Sequence, residues 1–410
     1  MEYEILDIQS VKEFVFNIDN IKNLLEVKSL NDLISSEIGD GNLNFVFIVS
    51  NKNDNSKSVI VKQAVPYLRC VGEEFPLSRE RMTYEIRALL EYQNLSPSYI
   101  PKIYYSSEEM SIVVMQNLSN HIILRKGLIE DIYYNNFIEH ITTFLANSLF
   151  FTSSLGLDSK EKRDLELQFN SNIELCKLTE DFVFTAPYVE DETNNIEPNC
   201  IEESKTFFAN NEKFKKNVLE LKYIFMTSCD ALLHGDLHTG SIMVNDKETY
   251  VIDPEFAFVG PFGFDIGALV ANMINSYISH TVVSNDEEYK KWLLDSIEEF
   301  YIKFEAKFLS LWNDQENSSL IKDGFISDEL LDEYKQEFMK NIFISSIGFA
   351  GCKITRRVFG VAGVEEIRGL EDLNQRKEAM LKALNLGQNL VLNYKTITSI
   401  EELINIIKKV

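Results

Sequence analysis

The strongest chemical signal in the chain is His234-Gly235-Asp236-Leu237-His238-Thr239-Gly240-Ser241-Ile242. Two glycines and several polar residues precede a β-prone run, so this stretch predicts a loop. A loop aspartate is suited to accepting the proton of a substrate hydroxyl. His234 and His238 stand four apart, the spacing of a helical zinc pair. Gly235, Thr239 and Gly240 argue against a helix, and no glutamate follows His234. Downstream, Asp253-Pro254-Glu255 follows the short apolar run Tyr250-Val251-Ile252. On an extended segment, carboxylates at i and i+2 point the same way. Two hard oxygen donors on one side suit Mg²⁺, which takes few protein carboxylates and completes its shell with phosphates and water. A surface turn is the other reading, and the apolar flank Phe256-Ala257-Phe258-Val259 weighs against it.

Lys62 is the one charge in the apolar run Val59 to Val65. A buried lysine there needs a partner. In a phosphotransfer role it would bind the α- and β-phosphate oxygens of a nucleotide, oriented by a carboxylate on the next helix. Glu85 is the expected partner, with Glu80 second. Strand alternation also allows Lys62 to face solvent. Gly39-Asp40-Gly41-Asn42-Leu43-Asn44 lacks the Gly-Lys-Ser/Thr of a Walker A loop and the third glycine of a dinucleotide fingerprint. It fits a hairpin tip laying backbone N–H groups over phosphates, and it fits a plain β-turn. Late in the chain, Cys352-Lys353-Ile354-Thr355-Arg356-Arg357 places two arginines side by side. On a helix they point about 100° apart. They suit either a salt-bridged structural pair or a site holding sugar hydroxyls and phosphoryl charge.

The elements that must carry these residues fall into two textures. Ser10-Val11-Lys12-Glu13 reads as a capping box opening a short helix. Residues 32–65 read as antiparallel strands, with polar Asn51 to Ser58 as the turn. Residues 79–94 read as a helix, and 103–105 and 112–115 as strands. Apolar spacing then predicts helices over 130–155, 212–233, 287–312, 328–347 and 371–393. An island from Leu233 to Gly263 interrupts them, with strands at 242–244 and 250–252. Residues 156–211 offer no reading. The expected fold is α+β: a small antiparallel β-rich lobe over residues 1–117 and a large, mainly helical lobe over 118–410. Such a layout makes a cleft of the kind that binds nucleotides.

Composition narrows the function. The 410 residues carry 64 Asp plus Glu against 40 Lys plus Arg, a net charge of −24, so no nucleic-acid partner is expected. Any anionic substrate must meet a local cationic pocket. Hydrophobic content of 45% and charged content of 25% describe a folded chain rather than a disordered one. The 5 cysteines include no Cys-x-x-Cys and read as reduced core thiols. The acidic start Met1-Glu2-Tyr3-Glu4 has no secretory pattern, and no apolar run reaches membrane-spanning length. A cytoplasmic protein with no membrane partner is expected.

The order of glycine hairpin, strand lysine, helix glutamate, His-Gly-Asp loop and paired carboxylates is that of the protein-kinase-like small-molecule kinases. Asp40-Gly41-Asn42-Leu43-Asn44, the loop from His234 to Ser241, Asp253-Pro254-Glu255-Phe256 and Arg356-Arg357 closely resemble the signatures of the S-methyl-5-thioribose kinases, in that family's order. Aminoglycoside and choline kinases usually carry a metal-binding Asn five residues after the catalytic Asp. Ser241 stands there, and Glu255 completes the Asp-x-Glu pair typical of methylthioribose kinases. The resemblance implies a bilobal protein-kinase-like fold with ATP between the lobes. It implies Asp236 as catalytic and substrate-binding residue, and a nucleotide site of Gly41, Asn44, Lys62, Glu85, Gln116, Asn117, Leu118, Asp253, Pro254 and Glu255. In it, Asp253 and Glu255 hold Mg²⁺, Arg356 and Arg357 bind the sugar substrate, and the chain forms a homodimer. The activity implied is ATP-dependent phosphorylation of the sugar's 1-hydroxyl. A kinase of another small hydroxylated substrate and a nucleotide-binding scaffold without catalysis are the alternatives.

Overall fold

Apolar residues alternating along residues 44–51 and 54–64 lay down a long antiparallel hairpin, and further strands pair on both sides of it. The computed structural model describes residues 3–38, 43–68, 72–315, 319–322 and 324–410. The chain divides into two units, Met1–His121 with Tyr250–Ala257, and Ile122–Thr249 with Phe258–Val410.

The first unit runs α1 (Ser10–Phe16), α2 (Asp19–Leu24), β1 (Leu33–Glu37), β2 (Asn44–Asn51), β3 (Asp54–Ala64), β4 (Tyr67–Leu68), β5 (Gly72–Pro76), α3 (Arg81–Leu95), β6 (Ile103–Ser107) and β7 (Ile112–Gln116). Five strands form one antiparallel sheet in the order β1-β2-β3-β7-β6. Side chains alternate across it. Phe47 and Val49 of β2 and Val59 and Val61 of β3 bury against Val11, Val15 and Ile21 of α1 and α2. Lys62 therefore projects from the opposite face.

Two local expectations fail here. No box closes between Ser10 and Glu13. Asp7 instead accepts the N–H groups of Gln9 and Ser10 at 2.8 and 2.7 Å, while Ser10 Oγ accepts the Asp7 N–H. A carboxylate upstream is the stronger acceptor for these orphan donors. The β2–β3 connection is also shorter than residues 51–58 suggest. β3 starts at Asp54, and the turn shrinks to Lys52 and Asn53, held by Asn51 Oδ1 accepting the Asn53 N–H at 2.9 Å. Polar residues extend a strand when ladder pairing satisfies their backbone groups.

The second unit contains β8 (Ile122–Ile123), α4 (Leu124–Ile129), α5 (Phe137–Phe151), α6 (Ser159–Phe169), α7 (Ile173–Phe182), α8 (Ile201–Asn210) and α9 (Glu212–Thr227). It continues with β9 (Ala231–Leu233), β10 (Ile242–Val244), β11 (Thr249–Val251, which leads back into the first unit), β12 (Phe258–Gly260), α10 (Gly263–Val283), α11 (Glu287–Asp314), α12 (Asp328–Phe359), α13 (Glu365–Arg368), α14 (Leu373–Asn393) and α15 (Ile400–Ile407). The helix expected over 212–233 stops at Thr227. Ala231–Leu233 is instead a strand whose backbone pairs antiparallel with Phe258–Gly260. The polar region 156–211 folds largely as helices, the first opened by a box in which Asp158 accepts the Lys160 and Glu161 N–H groups. α10 is buried without a break from Gly263 to His280, and α12 from Ser346 to Phe359. A Cβ on Gly267 would stand 2.4 Å from Ser346 O, so glycine is what lets these two helices approach. α12 runs past residue 347 to Phe359 and so carries Lys353, Arg356 and Arg357 into the interior. Cys200 and Cys352 are buried, but Cys229 is exposed between α9 and β9, so it is not a core thiol, and Cys70 lies outside the described residues. No helix among the described residues is long and apolar enough to cross a membrane.

Candidate active site

In the first unit the site is built on the face of β3 opposite the α1–α2 core. Lys62 is 6% exposed and donates to Glu85 Oε1 of α3 at 2.8 Å and to Asp253 Oδ1 at 2.7 Å. The solvent-facing alternative for Lys62 is excluded, because α3 covers this face of the sheet. Burial works against the ammonium, yet Asp253, Glu85 and Glu255 outweigh it and hold the Lys62 pKa above the ordinary lysine value. Glu85 has no exposed surface. Burial pushes its pKa up against the pull of Lys62, helped by the Asp253 and Glu255 charges.

Asp253-Pro254-Glu255 is not extended. Asp253 takes a left-handed conformation at φ 63°, and Pro254–Phe256 coil into a 3₁₀ turn. Proline fixes φ for such a turn. The two carboxylates consequently reach different partners. Asp253, with a side chain 46% exposed, meets Lys62. Glu255 is buried, accepts from Asn44 Nδ2 at 3.0 Å and faces Arg81 Nε at 3.6 Å. Arg81 is 2% exposed and also donates to Asn44 Oδ1 and to the carbonyls of Leu43, Val65 and Ser78. It therefore ties the end of the glycine segment to the carboxylate turn. Few, hard carboxylate oxygens, one of them half-exposed, are a donor set that fits Mg²⁺.

Gly41 lies outside the described residues. Gln116 closes β7 with Oε1 accepting the Lys102 N–H, Asn117 Nδ2 donates to Ser58 Oγ at 2.9 Å, and Leu118 is buried. The Asn117 and Gln116 side chains are thus engaged locally.

In the second unit Asp236 sits on a loop shaped from below. Asp265, in the first turn of α10, accepts the His234 N–H at 2.6 Å and the Gly235 N–H at 3.1 Å. Gly235 adopts φ 83°, a region open to glycine. His238 Nδ1 accepts the Gly240 N–H at 2.9 Å, which leaves the proton on Nε2, 3.4 Å from Asp236 Oδ2. Burial lowers the His238 pKa to about 4, so the ring is neutral at physiological pH. Ser241 Oγ donates to the Asp236 carbonyl at 3.0 Å. His234 and His238 are both used locally, and no cluster of three metal-binding His, Cys, Asp or Glu occurs among the described residues.

Around Asp236 gathers a cationic cluster. Lys353 Nζ donates to Asp236 Oδ1 at 2.9 Å and lies 4.6 Å from the Phe264 ring centre. Arg356 Nη2 stands 3.8 Å from the same oxygen, and Arg357 Nη1 donates to Ala362 O at 3.3 Å. Burial opposes the Asp236 charge, but Lys353, His238 and Arg356 overcome it and hold its carboxyl well below the usual range. Burial depresses both arginines, and each also feels neighbouring positive charge. Guanidinium groups nonetheless stay protonated. The sequence pattern singled out Arg356 and Arg357 but not Lys353. The missed signal is spacing: residue 353 lies three and four positions before the twin arginines, hence on their face of the helix. The sequence pattern marks neither Arg81, one of several charges on its helix, nor Asp265, which lies on the buried α10.

Lys353 has a measurable consequence. Burial lowers its pKa to about 8 against the pull of Asp236. Turnover is expected to fall on the alkaline side with a limb near that pH, as Asp236 loses its nearest cation. Lys353→Arg keeps the charge and should move the limb upward; an unmoved limb would remove Lys353 from the account. Unfolding cannot mimic this limb through Lys353. A lysine depressed in the folded state is protonated more in the unfolded chain above about 8, so this group's contribution to stability rises with pH through that window.

Residues 209–294, which contain Asp236, Asp253, Glu255 and Asp265, match the phosphotransferase enzyme family. A phosphotransferase is therefore the class to which this loop and carboxylate turn correspond. The chain is 39% identical over 384 residues to methylthioribose kinase 1 of Oryza sativa subsp. japonica, covering 92% of this chain and 89% of that protein. It is 42% identical over 372 residues to the methylthioribose kinase of Geobacillus sp. (strain WCH70), covering 90% and 89%. The chain belongs to the methylthioribose kinase family. Among solved structures, a choline kinase from Cryptosporidium parvum Iowa II aligns over 97% of each chain at 14% identity, with a TM-score of 0.45.

Proposed function

We propose that this chain is the kinase that moves the γ-phosphoryl group of ATP to the 1-hydroxyl of S-methyl-5-thioribose, giving the 1-phosphate in methionine salvage. One observation carries the reading. At 39% and 42% identity to methylthioribose kinases across some nine-tenths of the chain, a loop aspartate, Asp236, stands in a buried cationic cluster. In the reaction, Asp236 accepts the proton of the sugar hydroxyl as its oxygen bonds to the γ-phosphorus. The bond from that phosphorus to the β–γ bridging oxygen breaks, and ADP leaves with the electron pair. A carboxylate held ionised by Lys353 and Arg356 is ready to accept that proton, and His238 offers it no free lone pair, because its Nδ1 already accepts the Gly240 N–H. Lys62, oriented by Glu85, neutralises the α- and β-phosphates, with Gly41, Asn44 and the backbone of Gln116, Asn117 and Leu118 completing the nucleotide contacts. Asp253 and Glu255, on either side of Pro254, would hold Mg²⁺, which supplies charge neutralisation on the phosphates when bound. Arg356 and Arg357 hold the sugar and offset phosphoryl charge.

A cationic acceptor such as choline or an aminoglycoside fits this site poorly, because the acceptor side carries a surplus of buried positive charge. A scaffold without catalysis would lack a part, and lysine, base and both carboxylates are all present. The reading extends to a cytoplasmic homodimer, for which light scattering at the mass of two chains is the test. ADP release dependent on methylthioribose tests the activity itself.

A further inference from the structure

The catalytic loop and the twin arginines leave one acidic group unaccounted for. Glu366, on the short helix α13, is 3% exposed. Neither of its carboxylate oxygens has a hydrogen-bond partner among the described residues. Its ionic neighbour is Arg125 Nε, 3.3 Å from Oε2. Arg125 in turn packs on the catalytic loop: a Cβ on Gly240 would stand 3.0 Å from Arg125 Nη1 and 2.7 Å from His238 Cε1. Arg357 feels the charges of both Asp236 and Glu366. Glu366 thus belongs to the cluster around Asp236 rather than to a remote ion pair.

A buried carboxylate without hydrogen bonds retains the full cost of leaving water. Burial pushes the Glu366 carboxyl above the usual carboxylate range, and Arg125 and Arg357 pull against it; as the anion it accepts hydrogen bonds and donates none. The Nε atoms of Arg125, Arg356 and Arg357 are likewise buried without a hydrogen-bond acceptor. Leftover acceptors and leftover donors in one cluster match a ligand that carries both, which a polyhydroxylated sugar does. Two adjacent hydroxyls on one side of a furanose ring can both donate to one carboxylate.

We propose that Glu366 accepts hydrogen bonds from the 2- and 3-hydroxyls of the acceptor sugar and thereby selects a ribose-type ring. This rests on the proposed sugar kinase activity and adds a specificity-determining residue to it. A site built to bind a hydroxyl discriminates strongly against the analogue that lacks it, because the protein group is then buried unpaired.

The test compares kcat/KM for methylthioribose and its 2-deoxy and 3-deoxy analogues in wild type, Glu366→Ala and Glu366→Gln. The alanine variant is expected to lose roughly 10- to 100-fold with the full sugar. Its loss should be much smaller with the analogue missing a hydroxyl that Glu366 binds, with KM for ATP unchanged. Glu366→Gln keeps the side-chain volume, so reduced discrimination in it supports the proposal even where the alanine variant fails to fold. An equal loss on all three sugars in Glu366→Gln, or a lowered melting temperature with discrimination intact, overturns the role of Glu366 alone. Absence of wild-type turnover on methylthioribose would overturn the underlying activity as well, and that control separates the two failures.

Discussion

Asp236→Asn is expected to lower turnover with methylthioribose by about 10²–10⁴-fold, the usual contribution of a positioned proton acceptor. The substitution is nearly isosteric, so the loop held by Asp265 through the His234 and Gly235 N–H groups should keep its shape. An amide cannot take the hydroxyl proton, and it removes the anion beside Lys353 and Arg356. Lys353 would then lose its proton more readily, since Asp236 is what pulls its pKa upward against burial. ATP affinity, read by calorimetry, should be preserved, because Lys62, Glu85 and Asp253 form their own network in the first unit. Near-normal turnover in Asp236→Asn would remove this residue from the chemistry.

The second large effect belongs to Lys62→Met. Loss of the cation should raise the KM for ATP and cut turnover by roughly 10²–10³-fold, the scale of one lost charge-stabilising contact. It should also destabilise the fold. Glu85 is fully buried and would be left without its cation, which costs about 3–5 kcal/mol when one member of a buried pair is removed. Thermal denaturation therefore has a distinctive second arm. Lys62→Met with Glu85→Gln should recover much of the melting temperature and none of the activity. Equal instability in the single and double variants would show that Glu85 is not held by Lys62, and recovered activity would show that Lys62 does not handle the phosphates.

These expectations draw on residues whose readability in the sequence differed for physical reasons. The hairpin of β2 and β3 was legible because one face alternates cleanly, and Lys62 stood out as a charge in that alternation. Its partner Glu85 was legible by position on the following helix. The loop around Asp236 was legible as a loop because glycine and histidine around an aspartate seldom serve a helix. α10 was not, since a helix buried on every side has no polar stripe to reveal its period. With α10 went Asp265, whose carboxylate shapes the loop that carries Asp236. The twist at Asp253 was hidden too. A left-handed aspartate before proline looks, in sequence, like an extended one, yet it sends Asp253 to Lys62 and Glu255 to Arg81. Lys353 was visible as a residue and invisible as a partner, because its role depends on α12 continuing past residue 347 into the interior.

The activity is most directly tested by ADP release from the wild-type chain with ATP and Mg²⁺ over methylthioribose, ribose, choline and an aminoglycoside, with the phosphate located in the product by ³¹P magnetic resonance. Turnover is expected to be greatest with methylthioribose, with a phosphate ester on its anomeric oxygen. Turnover on choline or the aminoglycoside in preference to the thio-sugar, or a phosphate on any other oxygen of it, would contradict the proposed activity.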